Sequence, residues 1–361
     1  MNTLKAALRS LLVFAAAALV LAGCACPAGS PAPILTPTPA ESTTPAAPLT
    51  PTPPPIPIES PDVSITLTET PTRDLSAAVP LTDMTANDHY KGEDGGLYGK
   101  GLNTPPPNHH DAALRELAEV EPLDTQGNPT PSGKVVLISI GMSNTTQEFS
   151  AFKRLADADP DKSPSLVIID GAQGGKTARI WATQEAPWQV LEQRLDAGGV
   201  TAAQVQVVWL KQANSQPTRP FPTEVNELQA QLATIVQRIK ERYPNARLVY
   251  LSSRIYGGYA TTGLNPEPHA FEGAFAVRWL IQAQISGDPG LNFDPNVGPV
   301  LSPLLLWGPY LWADGLNPRS DGLTWARSDL SPSDGTHPSE TGRQKVAGIL
   351  LDFFKTNELA R

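Results

Sequence analysis

The run Lys134-Val135-Val136-Leu137-Ile138-Ser139-Ile140-Gly141-Met142-Ser143-Asn144 decides the fold. Val135 to Ile140 is continuously apolar and rich in β-branched residues. A strand reads this way when helices cover both of its faces, as in parallel sheets. Working outward, Leu166-Val167-Ile168-Ile169-Asp170, Val205-Gln206-Val207-Val208-Trp209-Leu210 and Leu248-Val249-Tyr250-Leu251 repeat the pattern. Helical segments separate them. The clearest is Thr223 to Tyr243, where Val225, Leu228, Leu232, Ile235, Val236 and Ile239 recur at helical spacing, with Thr223 as N-cap. Weaker helices are read at Gln147–Ala158 and Pro187–Ala197, and a last one runs from Ser339 to Phe354. Strands alternating with helices predict an α/β fold, a three-layer α/β/α sandwich with a mainly parallel, flavodoxin-like sheet. Residues 260–330, with Trp279, Trp307, Trp312 and Trp325, break the rhythm and are expected to make a long excursion over the sheet edge.

Upstream, the composition changes twice. Residues 1–23 place Lys5 and Arg9 ahead of the apolar run Leu11 to Gly23, the layout of a secretory signal, and the run is short for a membrane span of about 20 residues. It closes with Leu21-Ala22-Gly23-Cys24, which resembles the bacterial lipobox. That resemblance implies a lipid on Cys24 and an extracytoplasmic chain anchored to a bacterial membrane. Residues 24–62 are Pro, Thr, Ala and Ser, as in Pro51-Thr52-Pro53-Pro54-Pro55. Proline lacks a backbone donor, so this stretch reads as an extended tether. Residues 63–130 read as an extension packed on the domain, and 131–361 as the domain itself. In the extension, Val63-Ser64-Ile65-Thr66-Leu67 alternates like a short strand and Ala112 to Val120 reads as a helix. Tyr90, Tyr98, His109 and His110 either line a substrate rim or serve a structural or surface role.

Charge and cysteine usage narrow the function. The formal charge of −9 becomes −11 once Lys5 and Arg9 leave with the leader. With no block of Lys and Arg, nucleic acid is not an expected partner, since a phosphate backbone is held through clustered cations. The two cysteines, Cys24 and Cys26, both stand beside the leader. The domain therefore has no thiol nucleophile, thiolate metal site or internal disulfide. No metal or organic cofactor is expected.

Ligands of open parallel sheets bind beyond the carboxyl ends of the strands. The residues after the strands are Gly141-Met142-Ser143-Asn144, Asp170-Gly171-Ala172-Gln173-Gly174-Gly175-Lys176-Thr177 and Lys211-Gln212-Ala213-Asn214, and Asp334-Gly335-Thr336-His337-Pro338-Ser339 precedes the last helix. Their chemistry is complementary. A serine hydroxyl needs a base to become a nucleophile. A histidine can take its proton and return it to a leaving alcohol. A carboxylate three residues earlier can turn back and fix the imidazole tautomer. A glycine N–H and an asparagine amide can stabilise an oxyanion. Each residue alone has a plainer role, as a cap, a turn residue or a loop hydrogen bond; the four together, in order and at strand or helix edges, point to catalysis.

In sequence order, these residues resemble the four blocks of the SGNH/GDSL hydrolases over residues 134–357. The resemblance implies Ser143 as nucleophile with His337 and Asp334 as partners. It implies an oxyanion hole from the Ser143 N–H, the Gly175 N–H (Gly174 being the alternative) and the Asn214 side chain. Met142 stands where the first block has aspartate, and Gly-x-Ser-Asn is closer to the carbohydrate O-acetylesterase branch. The third block, Gln212-Ala213-Asn214-Ser215, departs from the usual Gly-x-Asn-Asp.

The expected activity is hydrolysis of a short-chain ester, O-acetyl on a carbohydrate being the candidate. Arg254, Tyr256 and Trp312 are the candidate substrate rim, with Trp307 and Tyr310 as further stacking residues; a salt bridge for Arg254 and core or loop packing for Trp307, Tyr310 and Trp312 are the other readings. Two other readings stay open: a non-catalytic glycan- or wall-binding surface protein on the same fold, and an O-acyltransferase.

Overall fold

The computed structural model describes residues 73–74 and 77–361. The leader, Cys24, the tether and the strand expected at Val63–Leu67 lie outside them. The elements are β1 (Arg73–Asp74), β2 (Asp88–His89), α1 (Pro107–Ala118), β3 (Val135–Gly141), α2 (Ser143–Ala158), β4 (Leu166–Ile169), α3 (Ala178–Thr183), α4 (Ala186–Ala197), β5 (Val205–Lys211), α5 (Thr223–Arg242), β6 (Leu248–Ser252), α6 (His269–Ile285), β7 (Leu304–Trp307) and α7 (Glu340–Thr356). β1 and β2 make a two-residue parallel pairing. The other strands form one sheet in the order β4-β3-β5-β6-β7, parallel throughout.

Alternation along the strands builds the layers. Val136, Ile138 and Ile140 of β3 pack with Trp181, Leu191, Ile235 and Phe271 of α3–α6. Leu137 faces the other way and packs with Val207, Trp209, Phe149, Phe152, Val346 and Leu350, the last four from α2 and α7. Each strand is therefore apolar on both faces, as the sequence pattern requires, and the architecture is the three-layer α/β/α sandwich. The sheet order reverses between β3 and β5, where Gly141 lies opposite Lys211. Chains leaving adjacent strands in opposite directions open a crevice there.

Residues 260–330 hold two regular elements that the expectation of an excursion missed. α6 is buried nearly all round, through Ala270, Phe271, Ala274, Phe275, Val277, Leu280 and Ile281. With no polar stripe it shows no amphipathic period. β7 is four residues long and pairs with β6. Two helices start earlier than expected: α2 at Ser143, and α1 at Pro107, where the first turn tolerates proline. Thr223 is the first residue of α5 rather than its cap, with Pro222 before it.

The extension completes the edge of the sheet. His109 Nε2 lies 2.8 Å from the Leu305 carbonyl oxygen, Trp307 N–H donates to Tyr98 Oη at 3.4 Å, and Trp307 Nε1 donates to the Leu97 carbonyl at 2.6 Å. Covering β7 this way blocks pairing with a foreign strand. Tyr98 and His109 are buried by that work and Tyr90 by packing on Phe221, Phe271 and Phe275, so these three have the structural role rather than that of a substrate rim. His110 instead meets Glu358 at 2.9 Å.

Candidate active site

The site begins where β3 becomes α2. Gly141 ends the strand, Met142 is extended, and Ser143 is the first helical residue. A Cβ on Gly141 would lie 2.3 Å from Thr145 Oγ1, so the first turn of α2 can fold back over the strand end only above glycine. Thr145 Oγ1 donates to the Lys211 carbonyl at 2.8 Å and so fastens this turn to β5. Ser143 caps nothing with its side chain. Its backbone N–H belongs to the helix's unpaired first turn, at the positive end of the helix dipole.

The loop before α7 brings in the other partners. Ser143 Oγ lies 2.8 Å from His337 Nε2, and His337 Nδ1 lies 2.7 Å from Asp334 Oδ2. Asp334 Oδ1 accepts the N–H groups of Thr336 at 2.8 Å and His337 at 2.9 Å. One carboxylate thus shapes the turn and orients the imidazole, which is why the i, i+3 spacing works. Burial pushes the Asp334 carboxyl up, but the two backbone N–H bonds and the His337 ring outweigh it and hold the group below the usual carboxylate range. Gly335 is required by contact, since its Cβ would meet the Tyr259 carbonyl oxygen at 1.8 Å. Asn144 Nδ2 donates to the Thr336 carbonyl at 2.8 Å and latches this loop to the helix of Ser143. The sequence marked Asn144 only as part of a motif.

The glycine loop after β4 is held from below. Asp170 accepts from Ser139 Oγ at 2.6 Å, Thr146 Oγ1 at 2.5 Å and Ser150 Oγ at 2.6 Å, joining β3, α2 and the loop. Gln173 N–H and Trp181 Nε1 both donate to the Gly141 carbonyl at 3.0 Å. Gly174 and Gly175 are exposed, with open space where a side chain would stand. The N–H of Gly175 has no acceptor among the described residues.

Asn214 is differently engaged. Its Nδ2 donates to Glu224 Oε1 at 2.7 Å and to the Glu224 carbonyl at 3.3 Å, which occupies both amide protons. Gln212, two residues earlier, is buried and donates to the Lys176 carbonyl at 3.3 Å, with its Oε1 unpaired. Asn214 reaches an oxyanion only by releasing Glu224. Asn214→Ala is therefore expected to cost about 1.5–3 kcal/mol of stability, as for a lost bond to a charged group, with kcat falling less than about tenfold. A fall of about 10²–10³ in kcat at unchanged stability would mean that the amide does turn into the hole. Urea unfolding and initial rates on one preparation decide between them.

Burial alters the rest of the expected rim. Trp312 is 1% exposed, packs on Phe271 at 4.8 Å and donates from Nε1 to Glu267 at 2.7 Å. Trp307 and Tyr310 are buried as well. A ring enclosed in the core has no face left for a sugar, so these aromatics are packing residues. Arg254 is 2% exposed, with Nε and Nη2 unpaired. It belongs to a charged cluster beneath the site instead of a rim. Tyr256 alone of the three stays half-buried, edge-on to Tyr259 at 5.2 Å. In the cluster, Lys211 and Glu148 form a fully buried ion pair behind the first turn of α2. Burial, reinforced by Arg254 against the pull of Glu148, leaves Lys211 pushed down to about 8. The apolar strand pattern gave no sign of this pair.

A cleft of about 420 Å³ adjoins Gly175 and Asn214, lined by polar groups that include Thr177, Arg179, Thr218 and Arg219. Among the described residues, no three His, Cys, Asp or Glu side chains are grouped to hold a metal.

The sequence matches no protein-family model and no curated protein. Solved structures with a similar chain course include a carbohydrate esterase family 3 protein from Talaromyces cellulolyticus, 12% identical with a TM-score of 0.39, covering 62% of this chain and 98% of that one. An acetyl esterase variant with an acetate ion is 13% identical, with a TM-score of 0.36, covering 62% and 98%. A salicylyl-acyltransferase from a tetracycline biosynthetic pathway is 16% identical, with a TM-score of 0.34, covering 65% and 58%. These neighbours are esterases and an acyltransferase; at such identities the likeness concerns the path of the chain, and the chemistry of this protein rests on its own site.

Proposed function

We propose that this protein is a serine esterase that removes a short acyl group, O-acetyl on a carbohydrate, through an acyl-enzyme on Ser143. The observation that carries the reading is the continuous relay from Ser143 Oγ through His337 to Asp334, at 2.8 and 2.7 Å. Ser143 Oγ attacks the ester carbonyl carbon while its proton passes to His337 Nε2. Asp334 holds the Nδ1 proton and stabilises the imidazolium. The new oxyanion lies against the N–H groups of Ser143 and Gly175, and Asn214 joins them if it leaves Glu224. Collapse breaks the bond to the alcohol, which takes the proton from Nε2. Water then attacks the acyl-serine with His337 as base, releasing the acid and restoring Ser143.

The polar cleft beside Gly175 supports a short acyl group over a long apolar one, because apolar chains are bound by apolar walls. The prediction is a kcat/KM for p-nitrophenyl acetate at least about tenfold above that for the octanoate, since burying extra methylenes gains nothing without an apolar wall. Equal rates would remove the short-chain assignment. The proposal places the enzyme outside the cytoplasm, held by a lipid on Cys24 and set off by the tether. Cys24→Ser is expected to move the processed protein from the membrane to the soluble fraction; continued membrane association after cleavage would refute the anchor.

A further inference from the structure

We propose that the small void behind the Asn214 loop is a built site for a single water molecule, which ties the start of α6 to that loop. The void lies between the loop, α5 and α6, and its space for a water centre is about 10 Å³, room for one molecule. Asn265, His269 and Glu272 line it, and each brings a buried atom without a partner: Asn265 Oδ1, His269 Nδ1 and Glu272 Oε2. Glu272 is fully buried and Asn265 is 6% exposed. Three such atoms on residues that line one void are costly unless something joins them.

The chemistry favours water. His269 Nδ1 and Glu272 Oε2 are 3.7 Å apart, too far for a direct hydrogen bond and close enough for a bridge. A water can donate one proton to Asn265 Oδ1 and the other to Glu272 Oε2, and accept the His269 Nδ1 proton, which satisfies all three atoms. A cation is not called for, because Glu272 Oε1 already receives Lys91 Nζ at 2.6 Å and Tyr90 Oη at 2.9 Å. Asn265 has a left-handed backbone, φ +61°, and its Nδ2 donates to the Asn214 carbonyl at 3.3 Å. The water therefore holds Asn265, and Asn265 holds the Asn214 backbone. Asn265 is a positioning residue, and that consequence rests on the esterase reading; the water site does not.

The test is a high-resolution crystal structure of the full chain, purified with and without EDTA, with anomalous data collected for metals. The expected result is an isolated peak about 2.7–3.2 Å from the three atoms, without anomalous signal and indifferent to EDTA. An empty void overturns the proposal, and so does a peak about 2.0–2.4 Å from its ligands that EDTA removes, which would be a cation. Asn265→Gly keeps the left-handed backbone accessible and deletes the amide. It is expected to lose the peak and to lower kcat for p-nitrophenyl acetate several-fold at little-changed KM. Loss of the peak at unchanged kcat would overturn the positioning role, and persistence of the peak would overturn the assigned bonds. If the wild-type chain proves inactive on esters, the crystallographic outcome still decides the water site by itself.

Discussion

Ser143→Ala is expected to abolish the proposed ester hydrolysis, with kcat for p-nitrophenyl acetate falling by roughly 10⁴–10⁶, the scale at which serine hydrolases lose turnover when a member of the relay is removed. The alanine takes away the nucleophile and leaves the fold intact, because Ser143 Oγ caps no helix and its hydrogen-bond partner is His337. His337→Ala is expected to cost a similar factor, and the double variant little more, since the groups act as a unit. Asp334 carries a second, structural consequence. Its native carboxyl is held below the ordinary range, so the stability from its bonds is present above the unfolded carboxylate range and is lost as pH falls through the lowered native value. A wild type that turns over while Ser143→Ala does not establishes the relay as catalytic. If both are folded and neither turns over acetate esters or acetylated glycans, the glycan-binding reading replaces the enzyme.

The largest expected effect on stability comes from Lys211→Met. Glu148 is fully buried, and Lys211 is its ion-pair partner. Removing the ammonium leaves an uncompensated carboxylate in the core and is expected to cost about 3–5 kcal/mol in urea unfolding at pH 7. Adding Glu148→Leu should recover most of the loss, because replacing both charges with apolar groups removes the desolvation penalty together with the attraction. A single-variant loss below about 1 kcal/mol would show that Arg254, buried nearby with free N–H groups, takes over the pairing. The pH dependence has a definite sign. Lys211 sits at about 8 in the folded chain, below its unfolded value. Between these values the unfolded state binds the extra proton, so the wild type should gain stability as pH rises from about 8 toward 10.5, and Lys211→Met should lack that rise.

How much was legible beforehand follows from the range of each interaction. Four of the five sheet strands were plain because a strand covered on both faces must be continuously apolar. β7 was hidden by its brevity, and α6 by being buried on every side, which erases the period that reveals a surface helix. The relay was legible because Ser143 and His337 stand at the ends of regular elements and Asp334 lies one turn from His337. Their 2.8 Å approach across 194 residues is a product of α7 packing with α2 on one face of the sheet, with Asn144 latching the loop before α7 to the start of α2.

Burial decides between the rim and packing readings of the aromatic and charged candidates for a related reason. Trp307, Tyr310, Trp312 and Arg254 have the chemistry of binding residues, and chemistry is local, but exposure is not. The same Trp serves a sugar or a core according to what packs on its faces, and here Phe271, Glu267 and the extension do the packing. The sequence by itself determined the layer architecture, the order of the blocks and the residue types that can move a proton, because these depend on periodicity and side-chain chemistry. Only the tertiary structure decided which polar groups are enclosed, that Asn214 is held by Glu224, and that Lys211 and Glu148 share one buried charge site. Those outcomes depend on what distant segments exclude water from, and burial is a property of the assembled chain.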